Sequence, residues 1–296
     1  MIIMYHHIHD KTYRYHRLGH LPVSNFEKQL SFLKKTYGQA VNINDYSSKS
    51  ALSVLLTFDD GLKSHIEYVA PSLIKYGFRG TFFVCSYPYL ERRVCNVHLL
   101  HLILGYVPLE RLVSALPSDV LKDESISSSY RSQRSGVFTK KLKTYVNYQG
   151  DHAFIRDFLL KIWKRETGIN ESSLVDELYL SQNDLIALQS NGHTVLPHMH
   201  SHRLLTRLSS YELSREFSES IVFFEDILRT PMNCICVPYG GGKSWNAECH
   251  RYAIEHGVKK VILVDSISSI CEENLTGIEY FDRTDCSQLV YAKYVE

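Results

Sequence analysis

Two clusters in this 296-residue sequence bring together residue types that do chemistry. The first is Asp59-Asp60-Gly61, directly after the apolar run at residues 53–58. Consecutive side chains diverge on an extended backbone, so one carboxylate can hold a cation while its neighbour handles protons. Two like charges this close are costly unless a cation or a shared proton neutralises them, and a metal ion does so. Read alone, the pair serves equally well as a helix cap and a turn. The second cluster, Pro197-His198-Met199-His200-Ser201-His202, offers three imidazoles in five residues. Histidine is the commonest transition-metal ligand, and two histidines with one carboxylate leave coordination positions for water and substrate. Taken together the clusters point to a metal. If His198 and His202 share a side, His200 faces away and supports rather than ligates.

The elements that must position these residues follow from periodicity. Residues 2–5 read as a short buried strand, and residues 24–35 as an amphipathic helix with Phe26, Leu30 and Leu33 on one face. Ser24 and Glu27 have the spacing of a capping box. Residues 53–58 form a strand, residues 66–76 a helix stopped by Gly77, and residues 80–84 the next strand. Strand, helix, strand at this spacing is a βαβ unit, so the sheet is largely parallel and its active groups belong at strand C-terminal ends. Asp59 and Asp60 lie at such an end.

Residues 87–180 break the rhythm. Helices at 97–104 and 158–165 flank a polar stretch at 127–136 that reads as a mobile loop, so the segment is an insertion. Alternation resumes with a helix capped by Ser181 and ended at Gly192, then a strand at 193–196 that leads into the histidines. Ser209 and Glu212 cap a long helix to about Leu228, with Leu213, Phe217, Ile221 and Phe224 on one face. A strand at 234–237 ends in Pro238-Tyr239-Gly240, followed by a helix at 247–256 and a strand at 260–264. No internal repeat is visible, and one domain is the expectation.

Composition narrows the partners. The sequence is 44% hydrophobic and 22% charged, with net charge +1, so no global field draws it to nucleic acid or anionic lipid. No run of about 18 apolar residues is present, so a membrane-spanning segment is not expected. Seven scattered cysteines without C-x-x-C pairs read as reduced thiols, and the apolar start is too short for a secretion signal, so a cytoplasmic protein is expected.

The motifs Leu56-Thr57-Phe58-Asp59-Asp60-Gly61 and Gly192-His193-Thr194-Val195-Leu196-Pro197-His198, continuing to His202, resemble the first two motifs of the polysaccharide deacetylase family, the NodB-homology or family 4 carbohydrate esterases. Ile235-Cys236-Val237-Pro238-Tyr239-Gly240 is similar to its third. With Met4-Tyr5-His6-His7-Ile8 and the helix around Phe26, the resemblance covers most of the chain outside 87–180. It implies a distorted (β/α) barrel with fewer than eight strands, here with a mostly helical insertion that caps the site as a lid. It also implies that Asp60, His198 and His202 hold a divalent ion, Zn2+ first and Ni2+ or Co2+ next. In the family scheme Asp59 is the general base, the Tyr239 backbone N–H holds the oxyanion, and a histidine protonates the leaving amine.

Two positions depart from the family pattern. Cys236 stands where many members carry an arginine that orients the base, and no C-terminal Leu-x-x-x-His motif supplies the acid. Both departures recur in a subgroup resembling the biofilm poly-N-acetylglucosamine deacetylases, with a circularly permuted barrel and an N-terminal Tyr-His motif. Tyr5-His6 fits it, which implies His6 as general acid, with His7 pointing away. Arg283 is expected in a surface salt bridge, and His65, His193, His250 and His256 receive no role. The implied substrate is an acylated amino sugar on a nucleotide-linked or lipid-linked precursor of surface polysaccharide. The competing readings are a carbohydrate-binding protein on the same fold without turnover, and a non-haem iron oxygenase, in which Asp59 has no task.

Overall fold

The computed structural model describes residues 1–46, 53–116, 136–241, 243–264 and 275–289. The expected loop at 127–136 lies outside these residues except for Gly136. Among the described residues eight short strands carry the fold: β1 Ile2–Tyr5, β2 Leu55–Phe58, β3 Thr81–Val84, β4 Thr194–Pro197, β5 Cys234–Cys236, β6 Lys260–Leu263, β7 Glu279–Asp282 and β8 Thr284–Asp285. All pair in parallel, in a five-stranded sheet ordered β4-β3-β2-β1-β8 and a three-stranded sheet ordered β5-β6-β7. β7 and β8 are one path of chain interrupted at Arg283, pairing first with β6 and then with β1. The two sheets thereby join into a barrel with seven strand positions. Between β4 and β5 the ladder is missing, and there the barrel is distorted.

The strands read as continuous apolar runs because both faces are covered. On the face turned to the helices, Phe58 and Phe82 stack at 4.9 Å, Tyr5 stacks on Phe58 at 5.3 Å, and Phe26 lies edge-on to Tyr5 and Phe58. The helices Val23–Tyr37, Ser210–Leu228 and Ala247–Glu255 lay Leu30, Phe217 and Ala253 onto this core. The capping boxes at Ser181/Asp184 and Ser209/Glu212 form as expected. The one expected at Ser24 does not. Pro22 precedes the helix and its carbonyl accepts the N–H groups of Asn25 and Phe26, so Ser24 falls inside the first turn while Glu27 pairs with Lys75. Proline's fixed φ already presets the helix start.

The described residues between 87 and 180 are mostly helical, with Asn96–Tyr106, Val137–Thr144, His152–Thr167 and Glu171–Leu178 as the main pieces. They build a second apolar cluster around Leu99, Leu159, Trp163 and Leu178, into which the barrel sends Tyr13, Tyr15, Leu18 and Leu62. No helix among the described residues is long and apolar enough to cross a membrane.

Candidate metal and catalytic site

The site lies at the C-terminal ends of adjacent strands, where parallel sheets place their chemistry. The ladder between β1 and β2 ends at the Tyr5–Phe58 pair, and the Asp59 N–H donates to Tyr5 O at 2.9 Å. The ladder between β3 and β4 ends at Val84–Pro197, and the His198 N–H donates to Val84 O at 2.8 Å. β2 and β4, with β3 between them, thus deliver a carboxylate pair and a histidine to one rim.

Three site residues occupy left-handed backbone that ordinary side chains avoid: Asp60 at φ 79°, His202 at φ 56° and Tyr239 at φ 65°. Each costs about 1–3 kcal/mol and persists only where the surrounding fold imposes it. The adjoining glycines allow the turns. A Cβ on Gly61 would meet Val84 Cγ1 at 2.4 Å, and one on Gly240 would meet the Val264 backbone N at 2.8 Å.

Asp60, His198 and His202 converge and are buried. Asp60 Oδ1 lies 3.3 Å from His202 Nε2 and 3.6 Å from His198 Nε2, with no hydrogen-bond partner of its own. Ligand bonds of about 2.1 Å in a tetrahedral site put neighbouring ligand atoms roughly 3.4 Å apart. The spacing therefore suits three ligands around one ion better than direct hydrogen bonds, and these residues fit a divalent metal. The far nitrogen of His198 supports that orientation. Its Nδ1 donates to Cys236 O at 2.9 Å across the β4/β5 gap, which leaves the Nε2 lone pair toward Asp60. Burial, with Asp59 opposing it, pushes His198 down to about 4, so it is neutral as a ligand must be.

Asp59 has other company. Arg283 Nη1 lies 2.7 Å from its Oδ1, with both side chains buried, so the expectation of a surface salt bridge for Arg283 is corrected. The break between β7 and β8 places this arginine on the inner side of the barrel, where its Nη1 also reaches Thr57 Oγ1 at 3.2 Å. His6 Nε2 stands 3.7 Å from Asp59 Oδ2 at the solvent edge. Burial raises the Asp59 carboxyl, but Arg283, His198 and His6 outweigh it and hold the group below the usual range. Cys236 Sγ sits 4.0 Å from Asp59 Oδ2, close enough to form with Asp59 and His198 a second ligand-type cluster beside Asp60, and burial raises its thiol well above normal. His7 is turned away, its ring 6.4 Å from that of His101.

Other residues enter that the motifs do not name. His98, on the Asn96–Tyr106 helix of the insertion, puts Nε2 3.1 Å from the second Asp60 oxygen, while its Nδ1 is hydrogen-bonded to Tyr179 Oη at 2.6 Å. Burial opposes its charge, yet Asp60 beside it raises it to about 10. Asp60 is raised by burial and lowered further by His98 and His202, and ends well below the carboxylate range. Glu216, buried on the long helix, accepts the N–H groups of His200 and Ser201 at 2.9 and 3.0 Å and so braces the loop between His198 and His202. His65 is buried and donates from Nε2 to His6 O at 3.0 Å, fixing the backbone under His6. His200 faces away from Asp60, toward Ser86 and Glu219.

Beside His202 and Tyr239 opens a cleft of about 260 Å³ between barrel and insertion, lined by Asn96, Asn147, His152 and Arg207 among others. Tyr239 joins the two walls, its ring 4.9 Å from His202 and 5.2 Å from Tyr148 of the insertion. Arg207 fastens them with donations to the Tyr148 and Gln149 carbonyls, the latter at 2.8 Å.

Residues 158–261, which contain the histidine cluster and the Pro-Tyr-Gly turn, match the family model described as polysaccharide deacetylase. The family likeness is that of the polysaccharide deacetylases. Solved structures of such deacetylases share the fold along the whole chain. The Streptococcus pyogenes deacetylase PplD, in complex with acetate, is 14% identical with a TM-score of 0.56, over 96% of this chain and 90% of that one. IcaB from Ammonifex degensii is 13% identical with a TM-score of 0.55, over 99% and 94%. The deacetylase domain of BpsB from Bordetella bronchiseptica is 10% identical with a TM-score of 0.51, over 96% and 94%. At such identities the structural likeness speaks for the fold. No curated protein matches the chain.

Proposed function

We propose that the chain is a metal-dependent hydrolase that removes an N-acetyl or related acyl group from an amino sugar, with Asp60, His198 and His202 as ligands. The observation that carries this reading is the buried, unpartnered Asp60 Oδ1 facing two histidine nitrogens at ligand spacing, beside a second carboxylate that Arg283 keeps ionised. A divalent ion held by Asp60, His198 and His202 would supply Lewis acidity, polarising an acyl carbonyl and lowering the pKa of water so that it loses a proton near neutral pH. Asp59 accepts the proton of the attacking water, and Arg283 holds it in position and in its charged form. As the carbonyl carbon gains the water oxygen and the C–N bond breaks, His6 delivers a proton to the departing nitrogen, leaving a carboxylic acid and an amine. The Tyr239 backbone N–H is the assigned oxyanion donor. His6 beside Asp59 also supports the subgroup with an N-terminal acid.

The inactive, sugar-binding alternative rested on the missing arginine at position 236. Arg283 reaches the same carboxylate from another strand, which removes that ground. The polar cleft suits a hydroxyl-rich ligand, and the cysteines among the described residues, all free thiols, agree with action on a cytoplasmic precursor, nucleotide-linked or lipid-linked. The test is acetate release from N-acetylated amino sugars by zinc-loaded and chelator-treated protein. Release should require metal and vanish in Asp59→Asn and His198→Ala. If loaded protein leaves every sugar class intact while Asp59→Asn binds sugar as well as the parent, the binding-protein reading replaces this one.

A further inference from the structure

On the side of the histidine loop turned away from Asp60, a second set of ligand-type side chains converges. We propose that Glu91, His200 and Glu219 form a separate binding site for a divalent cation of the zinc class. One nitrogen of His200 and one oxygen of each glutamate all lie within 4.8 Å of one another. They come from three elements: the end of the short Tyr87–Leu90 helix, the loop after β4, and the Ser210–Leu228 helix.

The outer atoms of two of these ligands are already held. His200 is buried, and its Nδ1 is hydrogen-bonded to Ser86 Oγ at 2.9 Å. Glu219 Oε1 accepts from Arg215 Nε at 2.7 Å. Glu219 Oε2 is buried, has no hydrogen-bond partner among the described residues, and stands 2.9 Å from His200 Nε2 without hydrogen-bond geometry. Outer partners that fix the far atom of each ligand and leave the near atoms converging are what orient side chains around a metal. Glu91 closes the third side, its Oε1 3.5 Å from Arg215 Nη2. Arg215 lies against both carboxylates and Arg93 acts on Glu91, so it is the converging carboxylate oxygens and imidazole nitrogen, not an excess of charge, that favour a cation. One imidazole and two carboxylates, with water as fourth ligand, suit Zn2+. The glutamate side chains are 35% and 28% exposed, which gives the ion a path from solvent. Bound there, it ties the loop between His198 and His202 to the flanking helices.

The experiment counts metal. Chelator-stripped full-length protein is titrated with Co2+ and with Zn2+, and bound ion per chain and melting temperature are recorded for the parent, Glu219→Gln, Glu91→Gln, and the double variant Asp60→Asn/His202→Ala. Two equivalents are expected in the parent and one in each variant, with a zinc-dependent rise in melting temperature retained in the double variant. One equivalent in the parent that survives Glu219→Gln and Glu91→Gln but disappears in the double variant would overturn this site and leave the Asp60 site standing. The opposite pattern, a single equivalent lost only with the glutamates, would sink the Asp60 assignment and keep this one. Two glutamate variants guard against one failing to fold, as judged by circular dichroism.

Discussion

Arg283 and Asp59 form a buried ion pair, 2.7 Å between Nη1 and Oδ1, contributed by chain segments 224 residues apart. Removing one partner of such a pair strands a buried charge, at a cost of about 3–5 kcal/mol. Arg283→Met should therefore lower stability by about that amount and abolish acyl release. Adding Asp59→Asn to it should recover much of the stability and none of the activity. Urea unfolding of the two single variants and the double variant measures this, and purely additive effects would show that the two side chains do not interact.

His98 is expected to behave differently from a ligand. It touches the second Asp60 oxygen and is itself held by Tyr179, so His98→Gln should weaken metal binding about 10- to 100-fold without abolishing it. Loss of His202 should remove that site altogether. Competition for Zn2+ against a chromophoric chelator separates the two cases, and equal losses from both substitutions would make His98 a direct ligand.

How far the sequence discloses the molecule depends on how local each signal is. β1 to β6, the long helices and two capping boxes follow from patterns within a dozen residues, and Asp59, Asp60, His198 and His202 sit in contiguous motifs at strand ends. Arg283 is different. It stands where the chain leaves β7 in one sheet for β8 in the other, and nothing local shows that the interruption turns its side chain inward. His98 lies in a run of leucines on the insertion, where a histidine reads as core. Glu216 did leave a trace, as a charge on the buried face between Leu213 and Phe217, and a buried charge demands a partner. The Ser24 cap misleads because Pro22 competes for the same start.

Arg207 is the bolt between barrel and insertion. Its guanidinium donates to the carbonyls of Tyr148 and Gln149 at the edge of the cleft. Because Arg207 itself is exposed, Arg207→Ala should cost only about 1 kcal/mol of global stability. Locally it should loosen the turn at Tyr145–Gln149 that sets Tyr148 against Tyr239. Hydrogen exchange should speed up there and not in β1 to β4, and sugar binding should weaken. Unchanged exchange across that turn would mean the insertion is held by its apolar contacts alone.

Acid should destabilise the fold through histidines before carboxylates. The Gly80 N–H donates to His193 Nδ1 at 3.1 Å, so that nitrogen must be unprotonated, and burial together with Arg79 pushes His193 down to about 4. His9, His65 and His152 are likewise depressed to about 4, chiefly by burial. An unfolded histidine titrates near 6.5, so between about 6.5 and 4 the unfolded chain binds more protons and stability falls as pH falls. Each such group contributes a slope of up to about 1.4 kcal/mol per pH unit in that window. Asparagine at 193 can accept the Gly80 N–H through Oδ1 and cannot be protonated. His193→Asn should therefore flatten the urea-midpoint profile between pH 6.5 and 4 by roughly one proton, and a slope identical to the parent's would show that His193 is not linked to folding.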